Sequence, residues 1–124
     1  MATNNPGELL AQLADVIEQR KQADPGSSYV AQLFAKGRSK IAQKVGEEGV
    51  EVALAAVIGD NMAIVSEMAD LWFHSMVLLA DAGLSHQAVL DELGERFGLS
   101  GLEEKASRPQ SIKSGASKTG NHKN

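Results

Sequence analysis

The 124-residue chain has no cysteine, which excludes a disulfide framework and any thiolate metal site. It has only three prolines, and aromatic residues make up 4% of it, so neither the turn chemistry nor the aromatic content of a β-sandwich is present. No strand-like alternation or internal repeat occurs. No uninterrupted apolar run reaches the roughly eighteen residues that span a bilayer, and residues 1–8 lack the basic and apolar regions of a signal peptide. Basic residues are scarce in the body of the chain. Five of them (Lys105, Arg108, Lys113, Lys118, Lys123) lie from position 105 onward, leaving seven against sixteen acidic groups in residues 1–104, a balance of −9. Such a body is a poor partner for nucleic acid, whose phosphates need a positive surface. Any phosphate it handles must be met by local lysines or a metal. A cytoplasmic protein with no membrane or nucleic-acid partner is expected.

What is present is 43% apolar residues, dominated by Ala, Leu, Val and Ile, a composition that favours helices. In residues 7–22, Leu9, Leu10, Leu13, Val16 and Ile17 recur at three- and four-residue spacing and predict an amphipathic helix. "ADPGSS" ends it. A short helix over "SYVAQLFAK" stops at Gly37, and Ser39 is expected to cap a long helix through about Ile58. "GDN" at 59–61 is a capping turn before a strongly apolar helix over 62–82. Ser85 is expected to cap a last helix through about Phe97, stopped by Gly98. The segment "LSGLEEKASRPQ" reads as short and ordered. The reading is an all-α domain of four to five helices over 1–108 and a disordered basic tail over 109–124. The two long helices, joined by a short turn, should lie antiparallel.

On a wheel of about 100° per residue, Lys40, Lys44, Glu47, Glu48 and Glu51 fall in one stripe about 100° wide. One turn later Leu54, Ala55 and Ile58 continue that stripe, whereas a solvated face would stay polar. The stripe is therefore expected to face protein. The next helix repeats the arrangement, with Glu67, Asp70 and His74 in a stripe surrounded by apolar residues. Two helices thus each present an i, i+3 carboxylate pair, Glu48/Glu51 and Glu67/Asp70. Desolvated carboxylates must pair, neutralise or bind a cation, and few lysines are near in sequence. Packed antiparallel, the four converge on a hard-oxygen site suited to Mg²⁺. Di-iron bundles need Glu-x-x-His twice, but Leu54 and Asp70 stand where the histidines would be.

Plainer readings exist for each feature. Three glutamates in five residues commonly decorate a wet face, and Lys40 and Lys44 can be surface partners of glutamates one turn on. His74 is more often a hydrogen-bonded core histidine than a ligand. Met68, Trp72, Phe73 and Met76 are most simply core. Gly46 and Gly49 cost about 1 kcal/mol each relative to Ala inside a helix; they either permit close approach or are tolerated.

The pattern Glu47-Glu48-x-x-Glu51 followed by Glu67-x-x-Asp70 resembles the signature of the all-α, MazG-type nucleoside-triphosphate pyrophosphohydrolases. More narrowly, "SSYVAQLFAKGRSKIAQKVGEEGVEVALAA", "EMADLWFHSMVLLA" and "SGLEEKASR" are similar to the phosphoribosyl-ATP pyrophosphohydrolases of histidine biosynthesis, over about residues 7–108. Phe73 departs from the tyrosine frequent there. The resemblance implies a MazG-like bundle completed by homodimerisation, in the stand-alone form without a fused cyclohydrolase. It implies Mg²⁺-dependent cleavage of phosphoribosyl-ATP between its α and β phosphates, giving phosphoribosyl-AMP and pyrophosphate. On that basis Glu48, Glu51, Glu67 and Asp70 are expected as metal ligands, and Glu47, or Glu48 in exchange, handles the attacking water. Lys40 and Lys44 are expected on the substrate phosphates, with Arg38 and Lys36 behind them. A house-cleaning pyrophosphohydrolase of ordinary or damaged nucleotides is the alternative within the superfamily. A non-catalytic helical interaction module is the alternative outside it.

Overall fold

A computed structural model describes residues 5–99, and the segment around "SGLEEKASR" and the basic tail lie outside them. The described residues form five α-helices and one 3₁₀ turn: α1 (Pro6–Arg20), the turn Pro25–Ser27, α2 (Tyr29–Lys36), α3 (Arg38–Ile58), α4 (Asn61–Asp81) and α5 (His86–Arg96). The all-α reading holds, and no strand occurs among the described residues. The chain divides into two compact units, Met1–His86 and Gln87–Asn124.

Each helix of the first unit starts and stops for a local reason. Asn5 accepts the Gly7 amide at 2.8 Å and Pro6 opens α1, where its missing N–H costs nothing. Ser28 caps α2 through the Ala31 amide at 3.2 Å. Gly37 differs from the expected arrangement. At φ 99° its N–H closes α2 on the Leu33 carbonyl, and its own carbonyl accepts the Ile41 amide to open α3. One residue that tolerates positive φ thus ends one helix and begins the next, so Ser39 already lies inside α3 and caps nothing. Gly59, left-handed at φ 87°, closes α3, and Asp60 caps α4 through the Ala63 amide at 3.1 Å. Asp60→Ala should therefore cost about 1 kcal/mol of stability, read as a lower urea midpoint with an unchanged slope.

The core is off-centre. Ile17 of α1, Val30 and Leu33 of α2, Ile41 near the start of α3, and Met76 and Val77 near the end of α4 form it, with Leu13, Phe34, Phe73 and Leu79 packed on its edge. The extensive α3–α4 seam continues well beyond this core as a helical hairpin. There Ala55 is buried in the seam, while Val57 and Met62 are each 85% exposed. The expected enclosure of the acidic stripe is therefore partial in one chain. Of the residues that continue the stripe, Ala55 is covered, but Leu54 and Ile58 are open to solvent, because α1 and α2 are too short to reach along the arm. By length and composition α4 is long and apolar enough to cross a membrane. In this fold it packs along α3.

In the second unit, α5 ends in a turn where the Leu99 amide bonds to the Gly94 carbonyl at 2.7 Å and Gly98 adopts φ 69°. Gln87–Asp91 and Arg96–Glu92 side-chain bonds staple its exposed face one turn apart.

Candidate active site

The antiparallel register of α3 and α4 decides which carboxylates meet. Arg38, the first residue of α3, donates from Nε to the Asp81 carboxylate, and Asp81 is the last residue of α4. A second guanidinium nitrogen lies 3.4 Å from the Asp81 carbonyl oxygen. Ten residues inward from that clasp stand Glu48 on α3 and, on α4, Leu71 beside Asp70. The meeting point falls where the core gives way to the exposed arm.

There Glu48, Glu67 and Asp70 bring carboxylate oxygens within 4.8 Å of one another. Glu48 and Glu67 are half-buried and Asp70 is exposed. The i, i+3 spacing of Glu67 and Asp70 places both on the same side of α4. The Glu67 carboxyl is pushed above its ordinary range, first by desolvation, then by its hydrogen bond with Glu48, and by the charges of Glu48, Glu51 and Asp70. Negative charge has thus been gathered here, and among the described residues no ion pair to Glu48, Glu67 or Asp70 offsets it. The donors are hard oxygens, which suit a Mg²⁺-like ion and not a thiophilic one.

The other residues singled out in the sequence take different places. Glu51 is exposed and outside this trio, though its charge reaches Glu67. Glu47 is exposed too and turns back along α3, accepting from Gln43 Nε2 at 2.8 Å and lying 3.5 Å from Lys44 Nζ. Its carboxyl is lowered, chiefly by the Gln43 hydrogen bond, against partial desolvation, with Lys44 and Lys40 adding to the lowering. Lys40 and Lys44 are half-buried on α3, Lys44 one turn before the trio's Glu48. Arg38 is engaged by Asp81 at the far end of the seam. Gly46 and Gly49 have open space beside them, so neither is demanded by close packing among the described residues.

His74 is 5% exposed, and both ring nitrogens are engaged. Nε2 is 2.8 Å from the Tyr29 hydroxyl, and Nδ1 is 2.8 Å from the Asp70 carbonyl oxygen. It is a bonded core histidine, as its apolar surroundings lead one to expect. The sequence reading missed its partner Tyr29 and also Asp81, for no local pattern connects residues 43 to 45 positions apart. Gln43 was missed as well, although its place one helical turn before Glu47 is a signal that could have found it.

The chain is similar to known proteins over most of its length. A phosphoribosyl-ATP pyrophosphatase of Methylococcus capsulatus is 56% identical over 101 residues, covering 82% of this chain and 96% of that protein. Residues 10–97, which include every carboxylate above, match the phosphoribosyl-ATP pyrophosphohydrolase family, and the chain belongs to that family.

Proposed function

We propose that the protein hydrolyses phosphoribosyl-ATP to phosphoribosyl-AMP and pyrophosphate, the second step of histidine biosynthesis. The observation that carries this reading is the Glu48–Glu67–Asp70 trio, within 4.8 Å, in a chain of this family. These three residues, with Glu51 one turn further along α3, would hold Mg²⁺. When bound, the ion supplies counter-charge for the triphosphate oxygens and for the charge developing on the leaving pyrophosphate.

The chain's own groups divide the remaining work. Lys40 and Lys44, on the α3 stripe before the trio, meet the substrate phosphates, and Arg38 braces the seam that aligns them. Water attacks the α phosphorus and the bond to the bridging oxygen of the β phosphate breaks. Glu48 belongs with the cation, which leaves Glu47 to orient that water and receive its proton. Held ionised by Gln43 and Lys44, Glu47 is a weak base and acts mainly by orientation. The protein works as a cytoplasmic homodimer whose second copy covers the exposed arm; its acidic body binds neither nucleic acid nor membrane.

The test is pyrophosphate release from phosphoribosyl-ATP with Mg²⁺ present. Release should stop with EDTA and return when Mg²⁺ is added in excess. Parallel incubation with ordinary nucleoside triphosphates should yield far less. No release from folded protein would sink the proposal, and faster release from free triphosphates would turn it into the house-cleaning alternative.

A further inference from the structure

The buried ring of His74 joins two parts of the molecule that the proposed chemistry does not otherwise connect. Its position explains how. In α4 the Asp70 carbonyl lies one turn before residue 74 and also receives the Nδ1 hydrogen at 2.8 Å. A carbonyl oxygen only accepts, so Nδ1 is the protonated nitrogen of the neutral ring, which leaves Nε2 to accept. The Tyr29 hydroxyl, 2.8 Å away, is then the donor. Every capacity of the ring is used, in a single tautomer.

The geometry around the ring restricts it further. The Phe73 and His74 rings meet edge-on at 5.0 Å, and the Tyr29 and His74 rings do so at 5.8 Å. Tyr29 also stacks on Phe73 at 6.2 Å. Tyr29 is the first residue of α2, held by the Ser28 cap. The hydrogen-bonded chain therefore runs from the start of α2, through the His74 ring, to the peptide of Asp70. The side chain of that same residue supplies one of the three clustered carboxylates.

We infer that Tyr29 and His74 form a positioning pair for Asp70, fixing the α4 turn that presents it and Glu67 to a divalent cation. Neither residue touches substrate or metal in this role. The inference rests on the cation-binding reading of the trio. Groups that orient metal ligands typically alter metal affinity by about 10- to 100-fold when removed. A residue that merely fills the core alters stability and leaves affinity alone.

The full chain is titrated with Mn²⁺, free ion being counted by its paramagnetic resonance signal, and melted in parallel. Tyr29→Phe keeps the stack on Phe73 and deletes only the donor; it should weaken Mn²⁺ binding about tenfold and lower kcat more than it raises KM. His74→Phe should weaken binding more, while His74→Asn, whose amide can still reach the Asp70 carbonyl, should recover part of the loss. Unchanged Mn²⁺ affinity in Tyr29→Phe and His74→Phe, with only the melting temperature lowered, overturns the positioning role and leaves the cation site standing. Failure of the wild-type chain to bind Mn²⁺, or binding that Glu67→Gln does not weaken, overturns the cation site and this inference with it.

Discussion

Glu67→Gln is expected to lower the turnover of phosphoribosyl-ATP by roughly a thousandfold, about 4 kcal/mol of transition-state stabilisation. The change keeps size and helix preference, so far-ultraviolet dichroism should be unaltered. What it removes is the charge at the point where four carboxylates converge on one another's fields. Glu67 is the group raised by that convergence, through desolvation first and then through Glu48, Glu51 and Asp70. The same fact sets the stability of the metal-free protein. A carboxyl raised on folding contributes stability that is complete below the ordinary glutamate range and is lost as pH rises through its folded value. Wild-type protein in EDTA should therefore lose this contribution between the ordinary glutamate range and the raised value, and Glu67→Gln should lack that slope. Urea midpoints from about pH 4 to pH 7 measure it. Asp70→Asn should match the loss of turnover, and Glu51→Gln decides whether Glu51 joins the cation. Retained turnover in Glu67→Gln would remove it from the site.

The parts of this arrangement that were legible in the sequence are those governed by local rules. Helical periodicity located α1, α3 and α4, and Gly37, Asp60 and Gly98 marked ends because their backbone or side-chain chemistry allows little else. The i, i+3 carboxylates on two helices joined by a two-residue turn made the meeting of Glu48 with Glu67 and Asp70 foreseeable, since so short a turn sets the helices antiparallel. Ser39 does not cap α3 despite its capping preference, because Gly37 ends one helix and begins the next. The division between Glu47 and Glu48 was not legible. Neighbouring residues on a helix point about 100° apart, and a stripe that wide holds both. Only the actual seam shows that Glu48 turns to α4 while Glu47 turns to Gln43 and Lys44. Tyr29 and Asp81 were beyond reach for a different reason: their partners are fixed by packing, not by spacing.

Trp72→Glu is expected to split the proposed dimer, raising its dissociation constant at least about 100-fold. One chain leaves the apolar side chains of its hairpin arm uncovered. On α4, Trp72 is 59% exposed beside an open cleft of about 330 Å³ that Ile64, Val65, Met68 and Ala69 also line. On α3, Val50, Leu54, Val57 and Ile58 are exposed along the same arm. So many exposed apolar side chains on one helical hairpin favour a partner, and a second copy offers the same side chains in return. A lipid bilayer would also cover α4, but Glu67 and Asp70 near its middle would each cost about 3 kcal/mol there, and both already face α3. A protein partner is the cheaper cover. An exposed tryptophan on such a face is a typical anchor, and glutamate in its place adds an unpaired buried charge to the lost contact. Sedimentation velocity at micromolar concentration should find wild-type dimers and Trp72→Glu monomers, in buffer without detergent. A wild-type chain that sediments as a monomer under those conditions would leave the arm without its cover and refute the dimer.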